Sequence, residues 1–275
     1  MDLFCKSARE MISSPFDCLL FDLDDTLYSS KTGIGASLKR NIEDFLVEKC
    51  GFSSDKASTL RIDLFKTYGS TLAGLRALGY DIDADDYHSF VHGRLPYEAI
   101  KPNIQLRNLL GSISQRKLIF TNSDRNHAIK VLERLGLQDC FDQIICFESM
   151  NPNLFKSRSP DEFPVVLKPS PEAMKIAIDI AEVDPRRTLF LDDNDRNIAA
   201  GKAVGLRTVL VGKAMKSNGA DYAVENIVNL KQGVPEIWFA GGGNNGSGGG
   251  GDHESRMART RSDIESIATP TPVGA

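Results

Sequence analysis

The sequence has no hydrophobic run approaching the roughly 18 residues that a membrane-spanning helix requires, so no bilayer anchor is expected. Its first fifteen residues lack the long apolar stretch of a secretory signal. Cysteine is sparse: five residues, at positions 5, 18, 50, 140 and 146, with no CxxC spacing. They read as reduced core or incidental thiols, which suits a reducing compartment. A basic surplus is also missing. Thirty-three Lys and Arg stand against 37 Asp and Glu for a net charge of −4, which gives no electrostatic footprint for nucleic acid. Internal repeats are absent. A soluble, cytoplasmic protein with a small-molecule partner and neither a nucleic-acid nor a membrane partner is therefore expected; nothing in the residues sets an oligomeric state.

What the chain does have is one abrupt transition near its start. An apolar run beginning at Cys18 ends in Asp22, Asp24 and Asp25. That is the pattern of a buried parallel strand whose carboxyl end opens into a crevice; an Asp-rich turn is the plainer reading of the same residues. The pattern then becomes helical. Leu38, Ile42, Phe45 and Leu46 recur at helix spacing up to Gly51, Leu60, Leu64 and Phe65 up to Gly69, Leu72, Leu75 and Leu78 up to Gly79, and Tyr87, Phe90 and Val91 up to Gly93. Residues 30–100 thus form a helical block inserted just after the acidic strand, where it can act as a lid.

From Pro102 strands and helices alternate. A helix over Leu106, Leu109 and Leu110 precedes a strand over 117–120, and Asp124 caps a helix carrying Ala128, Val131, Leu132 and Leu135. A strand over 143–147 leads into a polar, Pro-rich surface loop over 148–167. Ser170 and Pro171 open a helix as N-cap and first residue, 188–191 is a strand ending in Asp192 and Asp193, and a helix through Ile198 stops at Gly205. The strand over 207–211 closes the series. This rhythm predicts an α/β fold built on a doubly wound parallel sheet. Residues 241–275 are Gly-rich, then polar, a flexible tail by composition; within it Arg259, Arg261 and Ser262 have the spacing of a basophilic-kinase site.

Polar groups therefore close three strands: Asp22 and Asp24, Thr121 and Asn122, Asp192 and Asp193. Lys168 precedes a helix as Lys-Pro-Ser-Pro. Carboxylates converging from separate strands repel; two unit charges 4 Å apart cost about 4 kcal/mol at an effective dielectric of 20. A hard divalent cation with oxygen ligands, Mg²⁺ above all, removes that cost. A hydroxyl, an amide and an ammonium nearby are the groups that hold phosphoryl oxygens.

These motifs, in this order over residues 16–211, resemble those of the haloacid dehalogenase superfamily of phosphohydrolases. The resemblance implies a Rossmannoid core over 1–29 and 101–240, with residues 30–100 as a C1-type helical cap. It implies that Asp22 is the nucleophile and that Asp24 protonates the leaving oxygen and then activates water. Thr121 and the Asn122 amide would hold the phosphoryl group, and Lys168 would offset its charge. Mg²⁺ would be held by Asp22, the Asp24 backbone carbonyl and Asp193, with Asp192 either a further ligand or an outer support.

DLDDTLY, HGRLPY, TNSDR and FLDDNDRNI further resemble the pyrimidine 5′-nucleotidase branch, and more closely its plant members, which include enzymes acting on xanthosine monophosphate. A nucleoside 5′-monophosphate is the implied substrate, xanthosine 5′-monophosphate first and UMP or CMP second. Ser123 and Arg125 beside Asn122, and Tyr68, Ser70, Thr71, His88, His92 and Arg94 of the cap, are the candidate substrate contacts; packing or solvation is the alternative for the tyrosines and histidines. A haloacid dehalogenase generally lacks the second acid, so Asp24 and Asp193 argue against one. A phosphomutase and a catalytically silent binding protein share the core and stay open. Removing residues 241–275 is expected to leave kcat and KM of phosphate release within about twofold, because the tail buries too little to shape a site; a large fall in activity would overturn this.

Overall fold

All four residues of β1, Cys18–Phe21, are buried, and alternate side chains serve opposite faces of one sheet. Leu19 and Phe21 join one apolar cluster and Cys18 and Leu20 the other. The computed structural model describes residues 13–154 and 164–239. The tail, its candidate kinase site and the first twelve residues lie outside that range.

After β1 come α1 (Ile34–Glu48), α2 (Ser54–Tyr68), α3 (Thr71–Ala77) and α4 (Ala84–Gly93), the expected helical block. Phe45 of α1 seats the edges of Tyr87 and Phe90 of α4, at centroid distances of 4.9 and 5.3 Å. Phe65 departs from the reading as a core position: it is 51% exposed, on the rim of a cavity described below. Leu78 also stays exposed, because α3 ends at Ala77 and leaves it past the helix.

The alternating part follows: α5 (Ile104–Gly111), β2 (Arg116–Phe120), α6 (Arg125–Leu135) and β3 (Gln143–Ile145). Then come α7 (Phe147–Met150), α8 (Pro171–Ala181), β4 (Thr188–Asp192), α9 (Asp195–Ala203), β5 (Arg207–Val211), β6 (Tyr222–Val224) and α10 (Leu230–Gly233). The strands form a six-stranded parallel sheet in the order β3-β2-β1-β4-β5-β6. Helices α5 and α6 cover one face, α8 and α9 the other. The fold is the doubly wound α/β architecture that the rhythm predicts. None of the described helices is long and apolar enough to cross a membrane.

Three local expectations are corrected. The strand read over 143–147 ends at Ile145, and Phe147 opens a helical turn instead. That turn and Asn151, whose amide bonds Phe147 O and Val166 O at 2.9 Å, hold the two described ends of the segment read as surface loop, of which residues 155–163 lie outside the described residues. A sixth strand follows β5; its three residues, among Gly, Asp and Asn, fall below a visible alternation.

Strand order reverses between β1 and β4, so the crevice beyond their carboxyl ends is the topological switch point where such sheets bind ligands. The register puts Phe21 opposite both Ile119 and Leu191, which brings Asp22 level with Phe120 and Asp192. One close approach holds α9 against this part of the sheet. A Cβ at Gly201 would stand 2.7 Å from the Phe190 ring of β4, a fully buried side chain that has nowhere to move. Gly201→Ala is therefore expected to cost about 1–3 kcal/mol of unfolding free energy despite its gain in helix propensity, measured by chemical denaturation; equal or greater stability would refute the close approach.

Candidate active site

Asp22 is the first residue past β1, its amide donating to Leu191 O at 2.9 Å. Its two carboxylate oxygens are separately engaged. Oδ1 accepts from Lys168 Nζ at 2.7 Å and Oδ2 from Thr26 Oγ1 at 2.9 Å. Lys168 is 2% exposed, and its ammonium also donates to Asp192 Oδ2 and Phe120 O, both at 2.8 Å. Asn122 holds the lysine's loop: its side chain donates to Lys168 O and accepts from Lys168 N, each at 2.9 Å. One amide hydrogen and one lone pair of this side chain are thus committed to the lysine's loop.

Asp192 and Asp193 part company because β4 ends between them. Asp192, the last strand residue, is fully buried and turned toward Lys168. It also accepts from Asn194 N and from Asn197 Nδ2, at 2.9 Å each. Asp193 lies past the strand and is half-buried. One carboxylate oxygen from each of Asp22, Asp192 and Asp193 lies within 4.8 Å of the others.

The electrostatics of this cluster are those of too little positive charge. Burial is the largest influence on Asp22 and pushes its pKa up; Lys168 opposes this, and Asp192, which claims the same ammonium, adds to it. On Lys168 burial acts downward, but the two carboxylates outweigh it and hold the ammonium protonated well above its usual range. Asp193 is pushed up to about 6 by burial, then by Asp192 and Asp25. A clustered oxygen donor set with surplus negative charge is what a divalent cation such as Mg²⁺ fits. Asp22 and Asp193 are the residues with capacity to spare, since Asp192 is already saturated by Lys168, Asn194 and Asn197.

Asp24 faces a different space. Oδ1 accepts from Tyr28 Oη at 2.6 Å and pairs with His127 Nε2 at 2.7 Å; Oδ2 accepts from Ser123 Oγ at 2.7 Å. Burial raises its pKa, but the His127 imidazole and these bonds together outweigh burial and leave it below the usual carboxylate range. Thr121 is buried at the end of β2, its hydroxyl oxygen accepting from Ser123 N at 3.1 Å.

Over Asp24 lies a cavity of about 350 Å³. Asn122, Ser123 and His127 wall it from the sheet side; Leu38, Phe65, Ser70, Thr71, Tyr87, His88 and His92 wall it from the helical block. Burial drives the His88 pKa down to about 3, so that ring is neutral.

A family model described as haloacid dehalogenase-like hydrolase matches residues 16–205. The chain belongs to that family.

Among curated relatives of this chain, Phosphate metabolism protein 8 of Saccharomyces cerevisiae is 29% identical over 201 residues, 69% of this chain and 60% of the yeast protein. The chain thus spans less than two thirds of that relative's length. Pyrophosphatase PpaX of Halalkalibacterium halodurans is 25% identical across 74% of this chain and 86% of its own. Phosphoglycolate phosphatase of Aquifex aeolicus is 24% identical across 70% and 83%. Among solved structures, CbbY of Rhodobacter sphaeroides in complex with phosphate superposes with a TM-score of 0.55 at 18% identity, covering 81% of this chain and 99% of that one. A phosphatase of Thermococcus onnurineus gives 0.53 at 20% identity, covering 79% and 97%. At such identities the structures speak for the fold alone.

Of the residues expected around the site, Asp22, Asp192 and Lys168 meet directly, with Asp193 at their edge, and Ser70, Thr71, His88, His92, Asn122 and Ser123 line the cavity with Asp24. Three residues of the helical block and the loops do not line it. Tyr68 is exposed, and Arg94 lies 3.7 Å over the Phe90 ring and pairs with Glu48 at 3.2 Å. Arg125 turns to Ile144 O at 3.3 Å, its amide bonding Glu148. His127 has no place among the residues singled out from the sequence. Its signal was there, in the scarcity of histidine (four in the chain) and in its place three residues after the cap of the helix following Thr121.

The raised pKa of Asp193 carries a sign. An ionised Asp193 costs the folded state stability above about pH 6; the cost fades as pH falls through 6 and is gone near the ordinary carboxylate value. With chelator present, Asp193→Asn is expected to gain about 1 kcal/mol at neutral pH, discounted for partial exposure, and progressively less toward about pH 4.5. Denaturation at several pH values reads this directly, and a pH-independent difference would contradict it.

Proposed function

We propose that this hydrolase is a phosphomonoesterase that uses Mg²⁺ and acts on a nucleoside 5′-monophosphate through an aspartyl-phosphate. The observation that carries the reading is the buried Asp22–Lys168–Asp192 contact at the floor of the crevice. It fixes the Asp22 carboxylate beside an ammonium able to offset an incoming dianion. Asp22 and Asp193 would hold the metal, with the Asp24 backbone carbonyl as the family likeness suggests; when bound it supplies charge neutralisation of the phosphoryl oxygens.

In the first half-reaction an Asp22 oxygen attacks phosphorus in line, the bond to the 5′-oxygen breaks, and Asp24 delivers a proton to that oxygen. A phosphoryl dianion arriving beside Asp24 raises its proton affinity, which is low at rest, so Asp24 takes up that proton from solvent as the substrate binds. In the second, Asp24 as carboxylate takes a proton from the water that attacks the phosphorus, freeing phosphate and Asp22. Lys168 and Thr26 keep the Asp22 oxygens in place throughout.

Support for a nucleoside leaving group comes from the cavity. Its volume of about 350 Å³ falls in the range of small-molecule sites, ~300–1,000 Å³. Its walls join aromatic faces (Phe65, Tyr87) to hydrogen-bonding groups (Ser70, Thr71, His88) and to the cations Lys39 and Arg61. Rings stack on a base, and polar groups that must be satisfied discriminate between bases. Overall likeness to the plant members of the nucleotidase branch favours xanthosine 5′-monophosphate within the class, ahead of UMP and CMP.

The test is phosphate release from these three nucleotides, sugar phosphates and pyridoxal phosphate, with Mg²⁺ and with chelator. We expect Mg²⁺-dependent turnover, a nucleotide preference of at least about tenfold in kcat/KM, and a loss of about a thousandfold or more in Asp22→Asn with an unchanged circular dichroism spectrum. Undiminished release by Asp22→Asn would remove the nucleophile, and equal turnover of sugar phosphates would remove the substrate class.

A further inference from the structure

Asp24 takes three donors, and they are unlike in one respect. Tyr28 stands four residues away on the same loop, and Ser123 belongs to the loop after β2. His127 is 1% exposed and fixed on every side. Its backbone N–H donates to Asp124 Oδ1 at 3.0 Å, the His92 ring lies over it at 4.4 Å and 31°, and its Nδ1 meets Tyr97 Oη at 2.8 Å. His92 is in turn hydrogen-bonded to Asp124. A carboxylate only accepts, so Nε2 carries the hydrogen that points at Asp24, whatever the charge of the ring. In the neutral ring that leaves Nδ1 to accept from the Tyr97 hydroxyl. Tyr97 follows the helical block where the chain returns to the sheet, and His92 ends α4. Through His127, the helical block and its return connection both bear on the direction of one carboxylate at the cavity floor.

We propose that His127 is a positioning residue that orients Asp24 for proton transfer, with its own orientation set by Tyr97, His92 and Asp124. The proposal rests on the reading of Asp24 as acid and base. His127 reaches the reaction only by aiming that group, and misaiming costs rate rather than binding: a displacement of about 1 Å is worth up to about 100-fold.

The experiment uses the full chain with Mg²⁺ and para-nitrophenyl phosphate. His127→Asn falls short of Asp24, whereas His127→Gln carries an N–H at nearly the Nε2 distance. His127→Asn is expected to lower kcat by about 10- to 100-fold with KM within about threefold, and His127→Gln to recover most of the loss. Because both residues act as a unit, Asp24→Asn combined with His127→Asn should be no slower than Asp24→Asn alone, within about twofold. Unchanged kcat in His127→Asn, no recovery in Gln, or losses that multiply in the double variant each overturn the proposal. Wild-type turnover by Asp24→Asn would instead overturn the reading beneath it, and is seen separately. His127→Phe, which keeps the ring volume, repeats the comparison should the Asn variant melt early.

Discussion

Lys168 brings a single positive charge to a place where several negative ones converge. Its ammonium is buried, and it satisfies Asp22, Asp192 and the Phe120 carbonyl at 2.7–2.8 Å. Burying an ion pair is a poor source of stability, because desolvation offsets most of the attraction. Its value here is positional. The Asp22 carboxylate, held by this shared counter-ion on one oxygen and by Thr26 on the other, is fixed in place just past the end of β1.

The rest of the molecule is arranged so that this contact can exist. Parallel pairing of β1 with β2 and β4 sets Asp22, Phe120 and Asp192 at one level. The clamp of Asn122 on both backbone groups of Lys168 delivers the ammonium from a loop that belongs to no strand. Asn197, one turn into α9, closes the remaining side of Asp192, and Gly201 on the same helix allows the approach to Phe190 that brings it there. The strand pairings and the Asn122 clamp join segments far apart in the chain, whereas Asn197 and Gly201 act on the strand just before their own helix.

Above the floor, polarity changes sharply. The cavity over Asp24 is mostly apolar and aromatic on the helical side, with hydroxyls and neutral imidazole set among the rings. Such a space excludes water from a leaving group while still reading its polar atoms. His92 and His127 meet as tilted rings between the helical block and the sheet side, so the group that would handle the proton shares its surroundings with the wall that would hold the substrate.

Local chemistry made much of this legible in advance. Apolar runs ending in acids marked the strands, Gly and Asp punctuation marked the helices, and the order of Asp22, Thr121, Lys168 and Asp193 marked the family. Short or weakly patterned pieces escaped, as with Tyr222–Val224 and the turn at Phe147, where three or four residues carry no period. The polar residues of the helical block were harder still. Arg94 and Tyr68 have the right chemistry for a ligand, but a residue's helix face depends on what packs behind it, and Arg94 found Glu48 and Phe90 instead. Likewise, two adjacent aspartates look alike along a chain; only the end of β4 separates the one that grips Lys168 from the half-buried one beyond it. Sequence by itself determined the kind of groups that would gather and the strands that would carry them, because those follow from residue type and short-range period. Tertiary structure decided which partner each group would take, because that depends on register, burial and segments a hundred residues apart: His127 reaching Asp24 is a contact across 103 positions, and no local pattern encodes it.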